Sequence, residues 1–382
     1  DDAVAVVADS YWGAEQALAA VDVAWSQTEH DQKSTEAYFE QFAADMARDR
    51  EQGSSTEDRA VGDAPAVIAG ADKVIKRSYK VPWLAHTCME PMNALARVTE
   101  DGCELWTGTQ NPLSFRYSLA EALEMEVEQV QVQNFLMGGG FGRRANPDAA
   151  IQAARLSRAT GHPVKLIWSR EEDVRHDHYR QAVLSEFSAV LDESGKPTAW
   201  ENQFVDKHEP VEAPYILYDV PNQYVHFTDS PTHVPFGAWR SVDHSQHGFF
   251  TESFIDELAY EAGVDPYRYR RDLLAHLPRH RAVLDKAAEA AGRNVLGQLS
   301  GSDNDGINNW TWDLITEETY LGKYDELALY LAEAMEKTGH EVTYYQKDTI
   351  ALAKFRNGRF AEAIEYQKKA IAGGGQGDKR YE

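Results

Sequence analysis

The stretch Val127–Gly161, VEQVQVQNFLMGGGFGRRANPDAAIQAARLSRATG, decides how the rest of the chain is read. Its first ten residues alternate apolar and polar side chains, the pattern of a half-buried strand. From Asp148 the apolar residues fall at helical spacing, and Gly161 stands where a helix end favours a left-handed residue. Between them lies Met137–Arg144, MGGGFGRR, with four glycines in five positions ahead of two arginines. A bare glycine turn lets a ligand approach backbone N–H groups closely, and the start of a following helix favours an anion. Such a stretch forms a site for a phosphate- or pterin-type cofactor, or else a tight turn flanked by surface arginines. The glycines alone do not choose between them.

Two common glycine motifs are excluded. A dinucleotide fingerprint needs glycines at i, i+2 and i+5. Counted from Gly138, the third position falls on Arg143. No G-x-x-x-x-G-K-[ST] occurs, which removes a P-loop. A cofactor held here is neither an ordinary nicotinamide dinucleotide nor a nucleoside triphosphate.

At 382 residues the chain is long enough for two or three domains, each with its own core. Its 43% hydrophobic and 26% charged content is that of an ordinary globular protein. The formal net charge of −24 argues against a nucleic-acid partner, which needs a basic face. No run of 18 apolar residues occurs, so no membrane span is expected. The chain starts DDAVAVVADSYW, without the basic and apolar segments of a signal peptide, and reads as a mature or truncated start. Cys88 and Cys103 are the only cysteines. Their spacing allows a disulfide and excludes a zinc site made of them alone; two buried free thiols are the expected state.

Outward from the glycine turn, CELWTG (103–108), PVKLIW (163–168), VLSEFSAVLD (183–192) and TAWENQF (198–204) read as strands. The region from about Lys73 to Arg271 is therefore mixed α/β, of the α+β kind, with long loops. Near the start, AVAVVA (3–8) and DVAWS (22–26) read as strands around a helix at 11–21. A second helix from Ser34 runs into a polar connection. After about Asn294 the character changes: 298–309, rich in Gly, Ser, Asn and Asp, reads as a linker, and the remainder as helices. Gly322-Lys323-Tyr324-Asp325-Glu326 and Gly358-Arg359-Phe360-Ala361-Glu362 are one pattern repeated at an offset of 36 residues, each opening a helix. A period of about 34 residues belongs to tetratricopeptide-type hairpins. Two hairpins are too few for a solenoid, so this tail is expected to cap or to dock.

Residues able to carry chemistry lie between 86 and 260. In HTCMEPMN, His86 and Glu90 are four apart, but Pro91 ends any helix there and weakens a metal pair. TGTQNP puts Gln110 and Asn111 in a turn after a strand, where an amide can donate to a ligand oxygen or simply cap the turn. SREEDVRHDHYR holds His176, Asp177 and His178; neighbours in sequence point apart, so a polar surface loop is expected rather than a metal or acid–base site. His244 and His247 lack a third ligand and are weighed the same way. GAWRSVDHSQ sets a second glycine turn and Arg240 ahead of a long helix, again suited to an anion. Two such turns favour a large, phosphate-bearing cofactor.

Taken in order, EPMNALA, TGTQNP, MGGGFGRR, GHPVKLIWSREED, GAWRSV and ESFIDELA resemble the large subunit of molybdenum hydroxylases, the xanthine dehydrogenase and aldehyde oxidase family. FGRR, SREEDVRHDHYR and WRSV are similar to the branch of the isoquinoline 1-oxidoreductase beta subunit and its aldehyde and nicotinate dehydrogenase relatives. The resemblance covers roughly residues 1–293. It implies a molybdenum–molybdopterin cofactor, in a dinucleotide form. Gln110 matches the glutamine that approaches the molybdenum's oxo group. Gly139, Gly140, Phe141 and Gly142 match the turn laid against the metal's oxygen ligands and the pterin. Arg240 matches the arginine whose turn cradles the cofactor. None of these is implied as a metal ligand. No catalytic base is assigned, because in the family a glutamate from the second half of the subunit takes that role and no such motif follows residue 293.

The resemblance also implies domains. Residues 1–60 would be the end of a hammerhead-like domain with its connection, and 61–297 the first half of the molybdopterin-binding domain. A linker at 298–309 and a tetratricopeptide-like tail at 310–382 complete the chain. The implied reaction hydroxylates an N-heterocycle or oxidises an aldehyde with oxygen from water. Electrons would leave through a separate iron–sulfur small subunit carrying [2Fe–2S], since the chain lacks the cysteines for a cluster, and then reach a cytochrome. The implied location is periplasmic. The alternative expectation is a non-catalytic interaction protein that works through its helical tail.

Overall fold

Strand pairing divides the chain into two sheets, and the residues of one lie inside the sequence span of the other. The computed structural model describes residues 3–205, 212–299, 304–317, 320, 322, 324–337 and 341–375. The chain opens with α1 (Tyr11–Ala19), α2 (Thr35–Gln52), β1 (Thr56–Val61), α3 (Ala64–Ala69) and β2 (Ile75–Val81). A contiguous block follows: β3 (Asn93–Val98), β4 (Cys103–Thr107), α4 (Pro112–Leu123), β5 (Val130–Asn134), α5 (Asp148–Thr160) and β6 (Val164–Ile167). Next come α6 (Arg170–Arg175), β7 (Val183–Leu191), β8 (Pro197–Val205), β9 (Asn222–Thr228), α7 (His244–Ala262), α8 (Pro266–Leu273) and α9 (Pro278–Leu299). The tail holds α10 (Asn304–Thr316), α11 (Asp325–Lys337), α12 (Tyr344–Arg356) and α13 (Phe360–Ala370).

The outer sheet runs β1-β9-β8-β7-β2, antiparallel except for β8 beside β9. Its alternation sends Val183, Phe187 and Ala189 of β7 to one face, with Trp200 and Val225 from the neighbouring strands. There they meet Phe250, Phe254, Ile255 and Leu258 of α7, spaced to share one side of that helix. Each such fully buried side chain is worth roughly 1.5–3 kcal/mol. The inner sheet runs β5-β4-β3-β6, with β4 and β5 parallel. It is covered by Phe115, Leu119 and Leu123 of α4 and by Ala150, Ala153 and Ala154 of α5, whose small side chains let helix and sheet approach closely. Asn111 caps α4 by accepting the Ser114 N–H, with Pro112 at the first helical position; Gly161 ends α5 at φ 71°.

The mixed α/β reading therefore holds, and two expectations do not. Residues 3–8 and 22–26 join no strand ladder among the described residues; only the helix between them forms, and none of its residues is buried. An alternating sequence becomes a strand only where a partner takes its backbone hydrogen bonds. The stretch 298–309 is also mostly helical, belonging to α9 up to Leu299 and to α10 from Asn304, with 300–303 outside the described residues. Ile307, Leu314 and Ile315 of α10 pack with Leu331, Met335, Ile350 and Ala353 in a separate core. Gly322 and Gly358 both sit at φ 75°, just before α11 and α13, as the repeated pattern implied. Cys88 and Cys103 are buried free thiols. No helix of the described residues is long and apolar enough to cross a membrane.

Candidate functional site

The glycine turn fills the gap between β5 and α5 with conformations that side chains resist. Gly139 and Gly142 lie at φ 101° and 109°, and Phe141 between them is itself left-handed at 53°. A Cβ on Gly142 would stand 1.7 Å from the Ala238 carbonyl oxygen, so here the turn touches the segment leading to Arg240. The two glycine turns picked out in the sequence are thus one site. Isolated bridges bring the pieces together: Leu84 pairs with Arg180, and Tyr179 with Phe236.

Gln110 lies over this junction. A Cβ on Gly140 would be 2.6 Å from its Oε1, and that oxygen accepts the Gly142 N–H at 3.0 Å. A backbone N–H can only donate, so the amide is fixed with its oxygen inward. Its NH₂ then faces outward without a partner among the described residues. Asn111, its neighbour, is the helix cap. Arg240 is exposed, and its guanidinium also has no partner among the described residues. Ser241 and Val242 after it are both left-handed, at φ 72° and 49°, a strained arrangement for a β-branched residue.

Arg143 and Arg144 are neither surface residues nor free for a ligand; they are 1% and 0% exposed. Arg143 donates from Nη1 and Nη2 to Asp148 at 3.1 and 2.6 Å and pairs through Nε with Asp177 at 2.8 Å. Arg144 donates to the carbonyls of Gly139 and Glu90 at 2.8 and 2.7 Å. The Glu90 carboxylate in turn accepts the Gly138 N–H at 2.6 Å. Burial pushes the Glu90 carboxyl upward, but the Gly138 N–H and the Asn93 amide outweigh it and hold it below its ordinary value. These groups brace the turn from behind. The start of α5 is likewise closed to a ligand, because Asp148 occupies its first position.

Asp177 was expected in a surface loop and is instead a buried hub for Arg143 and His86. No local signal marked it, because its partners lie in other segments of the chain. His176 is exposed, while His178 stands 3.6 Å from Asp148. His244 is exposed, and His247 packs in the core against Phe204 and Phe250. Burial pushes the Cys88 thiol up, leaving it a poor nucleophile. Glu252 is committed to Tyr218 and Arg270.

Asp148 gives the site an acid limit. Burial alone would raise its carboxyl, but His178 and Arg143 hold it below its ordinary 3.8. A carboxyl lowered by folding contributes stability that is complete above the unfolded value and lost as pH falls through the folded one. Urea midpoints of the parent should therefore drop steeply below about pH 4. Asp148→Asn should start lower at neutral pH and then fall less steeply. Parallel curves would remove Asp148 as the cause.

No cluster of His, Cys, Asp and Glu among the described residues could hold a metal, so a metal here would arrive with its own ligands. What the face does offer is an outward amide, an unpaired guanidinium, bare glycine backbone and the Phe141 ring, 45% exposed. These suit a flat, oxygen-rich, phosphate-bearing group. Residues 47–274, more than half of the chain, match the molybdopterin cofactor-binding domain family, and the chain belongs to it. It is 32% identical to the isoquinoline 1-oxidoreductase subunit beta of Brevundimonas diminuta, over 53% of this chain and 28% of that protein. It is 30% identical to the molybdenum-binding subunit of an aldehyde oxidoreductase of Escherichia coli, over 69% of this chain and 36% of that one. The quinoline 2-oxidoreductase structure from Pseudomonas putida 86 shares the fold, with TM-score 0.54 and 21% identity over 64% of this chain and 36% of its own. The chain spans 28–36% of the length of these relatives. The resemblance read from the sequence is thereby upheld.

Proposed function

We propose that this chain supplies one half of the molybdopterin site of a molybdenum hydroxylase large subunit. The enzyme would hydroxylate a carbon beside a ring nitrogen or oxidise an aldehyde, with oxygen from water. The observation that carries this reading is the junction of Gly142 with Ala238, where the Gln110 amide faces outward and Arg240 has no partner among the described residues. The cofactor, in a dinucleotide form, supplies the metal at which substrate is oxidised and the path by which electrons leave. A separate [2Fe–2S] small subunit takes those electrons and hands them to a cytochrome, in the periplasm. Gln110 donates to an oxygen of the bound cofactor, and Gly139–Gly142 let that group lie against the backbone. Arg240 pairs with phosphate. The base is assigned to another part of the assembled subunit, as the resemblance implies; here Glu90 is held by the Gly138 N–H and Glu252 by Tyr218 and Arg270. We assign α10–α13 to tetratricopeptide-type hairpins that dock a partner.

Protein purified from a host that makes molybdopterin should carry close to one molybdenum per chain. Its absence from folded protein overturns the reading. Arg240→Ala separates ligand binding from stability. A charge-assisted hydrogen bond of about 1.5–3 kcal/mol corresponds to roughly 10- to 100-fold weaker cofactor retention. The guanidinium touches no described protein partner, so the urea midpoint should move by less than about 0.5 kcal/mol equivalent. Full retention in Arg240→Ala would remove this residue from the site.

A further inference from the structure

His86 lies between the two turns, and its ring meets an acceptor at each nitrogen. Nδ1 stands 3.0 Å from Asp177 Oδ1 and 3.1 Å from Oδ2, while Nε2 stands 3.0 Å from the Ala238 carbonyl oxygen. A neutral imidazole carries one N–H and one lone pair, so it satisfies one of these acceptors and turns its lone pair on the other. An imidazolium donates to both. The side chains of His86 and Asp177 are each 1% exposed, which leaves no room for water to make up the difference.

Charge balance points the same way. Arg143 is one guanidinium shared by two carboxylates, Asp148 and Asp177. Asp148 is 24% exposed and is also faced by His178, so the fully buried carboxylate is Asp177, which Arg143 and His86 share. The other charged neighbours are otherwise engaged: Asp173 pairs with Arg170, and His178 faces Asp148. The Cys88 thiol, pushed up by burial, adds no charge. The Trp239 ring centroid, 4.3 Å from that of His86, favours a cation as well.

We propose that His86 is a positioning residue, held as an imidazolium, whose Nε2–H fixes the Ala238 carbonyl against Gly142 while Nδ1–H is anchored on Asp177. Ala238 is the atom group that Gly142 abuts, so this one ring sets the distance between the glycine turn and the turn carrying Arg240. What the turns hold rests on the functional reading above; the hydrogen-bond geometry does not.

The test uses the full chain free of cofactor, with ¹⁵N-labelled histidine. Long-range ¹H–¹⁵N spectra at neutral pH should show both His86 nitrogens protonated. The signal is assigned by its loss in His86→Gln or, should that variant not fold, by cross-relaxation with the Trp239 ring. A single protonated nitrogen overturns the proposal. In His86→Gln, amide exchange across 236–242 should quicken roughly 10- to 100-fold, the loss of one charge-assisted hydrogen bond, while β7 and β8 stay protected. Unchanged exchange in that segment also overturns it. Molybdenum content reports separately. A parent without molybdenum but with an imidazolium defeats the functional reading and leaves the positioning role standing; a neutral His86 with full molybdenum does the reverse.

Discussion

Gly142→Val should leave the protein without cofactor and less stable by roughly 2–6 kcal/mol, combining backbone strain with overpacking. The two parts have different origins. At φ 109° any side chain is strained. The new Cβ would in addition stand 1.7 Å from the Ala238 carbonyl oxygen, a backbone atom that can move only if the segment leading to Arg240 moves too. The damage is therefore to the junction of the two turns rather than to a cavity for the ligand. Gly53, also left-handed at φ 63° but with nothing within 4 Å of its Cβ position, is the control. Its Ala variant should show strain without collision, about 1 kcal/mol, and keep its cofactor. Urea unfolding and elemental analysis measure both effects. A Gly142→Val protein as stable and as fully loaded as the parent would mean that the turns are not joined at this point.

Arg143→Met should cost about 3–5 kcal/mol, the usual penalty for removing one partner of a buried ion pair. Methionine keeps a flexible unbranched stem and deletes the charge and every donor. Asp148 and Asp177 would then face each other with no guanidinium between them. Adding Asp177→Asn should cost less in this background than in the parent, because its ion pair with Arg143 is already gone. Denaturant midpoints for the two single variants and the double variant decide it. Strictly additive losses would mean that Arg143 and Asp177 do not act on each other.

What could be read from the residues, and what could not, divides by distance along the chain. The strand, turn and helix around Met137–Arg144 were readable because periodicity and a terminal glycine are local signals. Gln110 was readable as a residue in a turn, and its neighbour Asn111 proved to be the cap. The environment of Arg143 and Arg144 was not readable. It depends on Glu90, Asp148 and Asp177, which come from three separate segments. Asp177 shows the same limit from the other side: surrounded in sequence by histidines and arginines, it resembles solvated surface, yet its partners come from far along the chain. Residues 298–309 erred differently. Their Gly, Ser, Asn and Asp content suggests a linker, but Ile307, Thr311, Leu314 and Ile315 share one buried side of a helix.

The nesting of one sheet inside the other also sets a timetable for synthesis. β1 and β2 leave the ribosome early, and neither pairs with the other; they lie at opposite edges of the outer sheet. β2 pairs with β7, which begins at Val183, and β1 pairs with β9, which begins at Asn222. At about 5–20 residues per second, the hundred or so residues after Val81 take roughly 5–20 s to appear. During that interval β3–β6 can complete their own sheet, since every strand they need lies between residues 93 and 167. The nascent chain thus carries a finished inner unit beside two bare strands. β2 finds its partner once β7 ends at Leu191, whereas β1 waits for β9, which ends at Thr228.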